Sequence, residues 1–243
     1  TIKTVYLVSS QKFSNDNQLL IVFSDISKLK TLEKMREDFI GNVSHELRTP
    51  ISVIKANSET LLSTKLIKDE NAINFTKAIQ SQSERMATIV NELLSISSME
   101  SGDYPISLDK LNIKNIVDSA IKELNPMTES SNIKLVNKIS DMTHIIGDES
   151  AVKIIISNYI TNAIKHSPND EIIEIDIEKI DKDFCRIKVI DNGIGIAKKY
   201  RDRVFERFFR VDKGRSKKIG GTGLGLSISK NLALMMGYSV GVE

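Results

Sequence analysis

The chain of 243 residues has one cysteine, Cys185, which rules out an internal disulfide and any zinc site built on cysteines. The plain expectation for it is a small buried residue in a reducing compartment. No apolar run approaches the roughly 20 residues that cross a bilayer, and no secretory signal opens the chain. Charge of one sign is missing too: 34 Lys+Arg against 32 Asp+Glu leave a net +2, too balanced to select nucleic acid as a partner. Four prolines, Pro50, Pro105, Pro126 and Pro168, punctuate the chain, and no repeat recurs at solenoid periods. Glycine is scarce until late. Only Gly41, Gly102 and Gly147 precede residue 193, whereas nine of the 12 fall between Gly193 and Gly241, where backbone freedom or close ligand approach is needed.

What is present is ordinary for a folded protein: 40% hydrophobic and 27% charged residues. The length exceeds the usual 100–200 residues of one domain, so two domains are expected. The chain starts at Thr1 rather than methionine, which fits a piece of something longer and leaves membrane attachment upstream open. Residues 2–8 and 18–25 read as two strands around the polar turn Ser14-Asn15-Asp16-Asn17. From Asp25 the pattern turns helical, with Leu29, Leu32, Phe39 and Val43 at spacings of three and four, interrupted by Arg36. Ile40, Val43, Leu47, Ile54 and Leu61 then carry a heptad-like seam onward. A second seam, Phe75, Ile79, Gln82, Met86, Ile89, Leu93 and Ile96, keeps alternating steps of four and three. Two long helices joined near 64–70 therefore form a hairpin, and narrow seams of this kind favour pairing with a second copy as a four-helix bundle. Ser101-Gly102-Asp103-Tyr104-Pro105 ends the hairpin. Beyond it, Ile113 to Leu124 marks an amphipathic helix, Ile133 to Ile139 a strand, Asp148 the cap of a helix reaching His166, and 172–180 and 184–190 two more strands. Strands and helices without a regular βαβ rhythm suggest an α+β sandwich with helices on one face of a mixed sheet.

The candidate chemistry begins at Phe39-Ile40-Gly41-Asn42-Val43-Ser44-His45-Glu46-Leu47-Arg48-Thr49-Pro50. At about 100° per residue, the seam through Ile40, Val43 and Leu47 centres roughly 170° from His45, which therefore faces water. Thr49 lies one turn on along the same face, Glu46 is adjacent, and Pro50 predicts a kink. An exposed imidazole beside a carboxylate suits nucleophilic chemistry, although a plain surface histidine fits the same geometry. Asn158, Asn162, Lys165 and His166 share one face of a later helix. That stripe suits a hydrated Mg²⁺ with phosphates, and equally a polar solvated face. Asp191-Asn192-Gly193-Ile194-Gly195 puts a carboxylate on a glycine loop after a strand. Gly220-Gly221-Thr222-Gly223-Leu224-Gly225-Leu226 leads into an apolar helix, Leu226–Met236, and glycine-rich backbone at a helix N-terminus favours phosphate. No Lys-Ser/Thr follows these glycines, so this is not a P-loop. Between the loops, 197–219 carries ten Lys/Arg with Phe205, Phe208 and Phe209 and reads as a basic lid, although such a run is usually a solvated face.

Taken in order, these segments resemble the sensor histidine kinases. The His45 segment looks like the H-box, 158–166 the N-box, 191–195 the G1 box, 205–210 the F-box and 220–226 the G2 box; residues 1–27 look like the tail of a PAS-type domain. The resemblance implies an α+β multidomain chain: a truncated sensor-domain end at 1–27, a signalling helix and phosphotransfer hairpin at 28–102 forming a dimeric four-helix bundle, and a two-layer ATP-binding sandwich of Bergerat type at 108–243. It implies that His45 accepts the γ-phosphoryl of ATP and passes it to an aspartate of a response regulator, with Glu46 polarising the imidazole and Thr49 serving dephosphorylation of that regulator. It further implies that Asn158 ligates Mg²⁺, Asn162, Lys165 and His166 attend the phosphates, and Asp191 reads the adenine with Gly193 and Gly195 giving access. Arg210 would reach toward the γ-phosphate, and Gly221, Thr222, Gly223, Leu224 and Gly225 would shape the phosphate loop. The implied partners are a second copy and a receiver domain, with no nucleic acid. The implied setting is the cytoplasmic side of the inner membrane.

His144 matches no motif and is expected to be structural or inert. The family pattern continues past the final Gly-Tyr turn with further strands, whereas this chain stops at Glu243, so the sheet is expected to lack an edge. A Bergerat ATPase of gyrase, mismatch-repair or chaperone kind would share the nucleotide loops without needing the exposed His-Glu-x-x-Thr. A non-catalytic signalling scaffold would tolerate broken motifs, and none of the nucleotide-contacting positions is broken here.

Overall fold

The computed structural model describes residues 4–12, 19–63, 70–181, 184–211 and 221–243, which divide into two compact units, 1–83 and 84–243. The first unit opens with strands β1 (Tyr6–Lys12) and β2 (Leu19–Asp25), paired antiparallel from Tyr6↔Asp25 to Lys12↔Leu19. The strand expected at 2–8 thus lies four residues later. Val5 N–H donates to Ser27 Oγ at 2.8 Å and its carbonyl accepts from Ile26 at 2.9 Å, so the start of the next helix fixes where the ladder begins. Ser9, Ser10 and Gln11 are carried into the strand by apolar partners opposite, Val22, Ile21 and Leu20. The expected turn at 14–17 lies outside the described residues.

Helix α1 (Ser27–Ser63) starts where Asp25 Oδ1 accepts from the Ser27 N–H at 2.9 Å, and it runs unbroken through Pro50. Along it, Phe39, Val43, Leu47, Ile54 and Leu61 are half-buried, as the seam requires. Ile40 does not join them. With Leu29 and Ile51 it recurs every 11 residues, close to three helical turns, and this second stripe is about half exposed to solvent. Helix α2 (Glu70–Ser101) carries the other seam, with Ile89 and Ile96 fully buried and Phe75, Ile79, Met86 and Leu93 partly so. Ile89 is therefore covered within one chain, which corrects its expected place at a contact between copies. The exposed apolar side chains of α2 are instead Ile73, Val90 and Leu94. Gly102, at φ +81°, closes the helix: this left-handed residue lets Asp103 and Tyr104 N–H groups both reach the Ser98 carbonyl, at 3.0 and 3.1 Å. The joint expected near 64–70 falls almost wholly outside the described residues.

The second unit continues with a mixed three-stranded sheet in the order β4 (Lys134–Asn137), β6 (Ile172–Lys179), β7 (Cys185–Ile190), parallel then antiparallel. A separate antiparallel pair, β3 (Asp109–Asn112) with β5 (His144–Gly147), was not anticipated. Three helices supply the other layer: α3 (Ile113–Thr128), capped by Asn112; α4 (Glu149–His166), capped by Asp148; and α5 (Gly225–Met235). Helix α4 packs between α3 and α5. Strand β6 alternates, burying Ile173 and Ile175 while Glu174 and Asp176 stay partly exposed. Those two isoleucines meet a core of Ile113, Val117, Ile160, Leu224 and Leu232, each worth about 1.5–3 kcal/mol in apolar transfer. Cys185 is exposed, against expectation, because it is the first residue of β7, which pairs among the described residues with β6 alone. His144 sits on β5 with Nδ1 3.1 Å from the Met142 carbonyl, a local structural bond.

Candidate functional site

Helix α4 is the floor of the site. Its cap is well made: Asp148 Oδ1 accepts from Ala151 N–H at 2.8 Å and Oδ2 from Ser107 N–H at 3.0 Å, and these bonds hold its carboxyl below the usual range, the Ser107 bond foremost. Asn158, three turns along, is half-buried and donates its amide Nδ2 to the Gly225 carbonyl at 3.0 Å and to Ser229 Oγ at 3.1 Å. A carbonyl can only accept, so the amide orientation is fixed and Oδ1 is left as the acceptor. A Cβ at position 225 would lie 3.1 Å from that Oδ1, so glycine at the start of α5 keeps the oxygen clear.

Asn162 and Lys165 follow on the same face, both half-buried. Burial pushes the Lys165 ammonium down, with the Glu92 carboxylate pulling it up and Arg210 adding to the lowering. His166 is also pushed below the usual imidazole value, by partial burial and then Lys165, with Asp191 opposing. At the end of α4 the turn 191–193 packs tightly. Asp191 Oδ1 accepts from Gly193 N–H at 2.8 Å, and a Cβ on Gly193 would come within 2.8 Å of the His166 carbonyl oxygen, so only glycine fits. Gly195, at φ +67°, has open space where a Cβ would be.

The glycine loop before α5 is latched to the segment before it. Phe208 is buried at φ +60° and donates its N–H to the Gly223 carbonyl at 2.9 Å; a Cβ on Gly223 would lie 3.0 Å from Phe208 Cα. Arg210 Nη1 donates to the Gly221 carbonyl at 3.0 Å. Leu224 is fully buried, and its N–H is taken by Thr222 Oγ1 at 3.2 Å. Phe209 packs at a tilt against Tyr200, with the Arg203 guanidinium over the Phe209 ring, 4.5 Å from its centroid. The last part of the expected lid, 212–219, lies outside the described residues, as does Gly220.

One site residue was missed by the sequence reading. Glu92 of α2 bonds to the Thr222 side chain and lies in electrostatic reach of Lys165, and burial raises its carboxyl above the ordinary value. Nothing in its neighbourhood of apolar seam positions marks it out, because its partners are more than 70 residues away. Arg207 pairs with Glu100 further along α2. His45, Glu46 and Thr49 lie on α1 in the first unit, Glu46 half-buried and Thr49 exposed; the water-facing side expected of His45 falls outside what is described.

Among the described residues no group of three or more His, Cys, Asp or Glu side chains could cage a metal. Magnesium does not require one. It commonly takes one or two protein ligands with water and substrate phosphates, and the cleared Oδ1 of Asn158 fits that role.

Comparison with known proteins agrees with this layout. Residues 35–102 match the His Kinase A (phospho-acceptor) domain, and residues 147–243 match the histidine kinase-, DNA gyrase B- and HSP90-like ATPase. Sensor-like histidine kinase SenX3 of Mycolicibacterium smegmatis is 36% identical over 221 residues, 90% of this chain and 57% of that protein. Sensor histidine kinase WalK of Bacillus subtilis is 31% identical over 98% of this chain and 39% of its own length, and the phosphate regulon sensor PhoR of Pseudomonas aeruginosa 33% over 91% and 50%. The chain thus spans about half the length of these relatives. Among solved structures, the Acinetobacter baumannii histidine kinase AdeS shares the fold at TM-score 0.64 and 22% identity, over 78% of this chain and 86% of that one. Full-length ShkA in complex with AMPPNP gives 0.61 at 25% identity, over 84% and 42%. A phospho-acceptor helical hairpin followed by an α/β ATPase domain defines the class. The chain belongs to the sensor histidine kinases of two-component systems.

Proposed function

We propose that this chain is the kinase portion of a longer sensor, organised as a sensor-domain end at 1–27, a phosphotransfer hairpin at 28–102 and an ATP-binding domain at 108–243. Its reaction moves the γ-phosphoryl of ATP onto His45: the bond from γ-phosphorus to the bridging oxygen breaks, ADP leaves, and a phosphorus–nitrogen bond forms at the imidazole. Glu46, adjacent on α1, accepts a hydrogen bond from the other ring nitrogen, offsets the positive charge that develops on the ring, and can take the proton from that nitrogen once the phosphorus–nitrogen bond has formed. The phosphoryl then passes to a carboxylate of a receiver domain. Asp191 accepts from the adenine amino group through its second oxygen, its first being committed to Gly193. Lys165, Arg210 and the loop 221–225 face the phosphates. Mg²⁺, held by Asn158 Oδ1 and phosphate oxygens, would screen the charge on the phosphates.

The observation that carries the reading is the Asn158 amide, turned by Gly225 and Ser229 so that its oxygen is the free end. The exposed stripes Leu29–Ile40–Ile51 and Ile73–Val90–Leu94 supply the surface for a second copy. The whole protein works at the cytoplasmic membrane, with its attachment outside this chain. Incubation with γ-labelled ATP tests the core claim: label should be acid-labile and base-stable, and absent in His45→Ala. Undiminished label in that variant would overturn the assignment. In the same assays Thr49→Ala should autophosphorylate within a few-fold of the unaltered chain, while dephosphorylating the regulator about tenfold more slowly.

A further inference from the structure

A carboxylate sits where the nucleotide-site reading would put phosphate. Glu92 Oε2 is buried and makes no hydrogen bond, while the same side chain bonds to Thr222 of the glycine loop and faces the charge of Lys165. Lys165 and Arg210 repel one another here, with Glu92 acting on Lys165 and Asp191 on the neighbouring His166. A second tie, Arg207 to Glu100, holds α2 to the adjoining segment two helical turns farther on. Arg207 and Arg210 belong to the stretch latched to the glycine loop by Phe208, so Glu92 and Glu100 grip the loop and its latch together.

We propose that Glu92 is a built-in competitor for the phosphates of the nucleotide, an internal anion docked on Thr222 opposite Lys165 that must withdraw before the phosphate tail can enter. The proposal rests on the reading of 158–166 and 221–225 as a nucleotide site. An internal carboxylate with one oxygen unsatisfied is a poor occupant, because a buried acceptor without a donor carries its full desolvation cost. A triphosphate brings more negative charge and more acceptor oxygens to the same cations. The contact is thus strong enough to bias the empty site and weak enough to yield. Any motion that draws the last turns of α2 away from the loop would raise the share of molecules open to nucleotide.

Calorimetric titration of the full chain tests this with Mg²⁺ and the non-hydrolysable analogue AMPPNP, and in parallel with adenosine, which has no phosphates. Glu92→Gln keeps the shape and removes the charge. It should tighten AMPPNP about fivefold, as expected when a blocked fraction is released, and leave adenosine within about twofold. Unchanged or weaker AMPPNP binding, or an equal gain for adenosine, would overturn the proposal. Asn158→Ala separates the two readings: if it binds AMPPNP as well as the unaltered chain, the nucleotide-site reading fails and the inference with it. If it loses binding while Glu92→Gln changes nothing, the inference alone fails. Should Glu92→Gln not fold, Glu100→Gln loosens the same grip from outside the cradle and should tighten AMPPNP about twofold; weaker or unchanged binding there overturns the idea as well.

Discussion

The long helices and the sandwich that follows them solve the same problem, covering apolar surface, in opposite ways. The sandwich closes on itself: Ile113, Val117, Ile160, Ile173, Ile175, Leu224 and Leu232 are all buried at zero or near-zero exposure in a single chain. Along the helices Ile89 and Ile96 are buried, whereas Leu29, Ile40, Ile51, Ile73, Val90 and Leu94 stay in solvent. On the function proposed above, a chain that finishes one core and leaves another unfinished is stable where it would hold nucleotide and open to a partner where it would carry the acceptor histidine.

The sharpest test of that contrast uses two positions five residues apart on α2. Ile89→Ala removes a side chain already covered in one chain and should cost about 2–5 kcal/mol in denaturant-induced unfolding. Leu94→Lys, on the exposed stripe, should change the unfolding free energy of the isolated chain by about 0.5 kcal/mol or less while weakening self-association at least tenfold in sedimentation measurements. Equal effects of the two on both observables would erase the distinction. On the sandwich side, Asn158→Ala should weaken Mg-nucleotide binding by about tenfold or more, about 1.4 kcal/mol, with unfolding nearly unchanged. The smallest expected effect is at the α4 cap. Asp148→Ala should cost about 1 kcal/mol at neutral pH. Because hydrogen bonds from Ser107, Ala151 and Ser150 depress the folded-state pKa of Asp148, its contribution is complete above the ordinary aspartate value and is lost as pH falls through the depressed one. Acid titrations of stability should therefore be steeper for the unaltered chain than for the variant.

Much of this was legible in residue order, and the failures have local causes. The alternation Ile173/Ile175 against Glu174/Asp176 marked β6, and Asp148 marked the start of α4, because both signals act within a few residues. Strands β3 and β5 are four residues each, too short for alternation to register, and β3 reads Asp-Lys-Leu-Asn. The apolar period marks α3 only as far as Leu124, yet the helix continues through Pro126 to Thr128. Spacing alone places Ile40 on a heptad seam, but an 11-residue stripe with Leu29 and Ile51 fits its exposure better. At the site, the glycines announced themselves by clustering. Glu92 did not, since the meaning of a carboxylate there depends on Thr222 and Lys165 arriving from distant parts of the chain.

The hydrogen bond from Phe208 N–H to the Gly223 carbonyl has a practical corollary. It clamps the two ends of the intervening stretch together, so the shape of the glycine loop is set by its own neighbours rather than by the length of chain between them. Closing a longer loop costs only about 0.6 kcal/mol per doubling of its length. Chain added between Phe208 and Gly223 should therefore change stability by less than about 1 kcal/mol while the bond between these two residues persists.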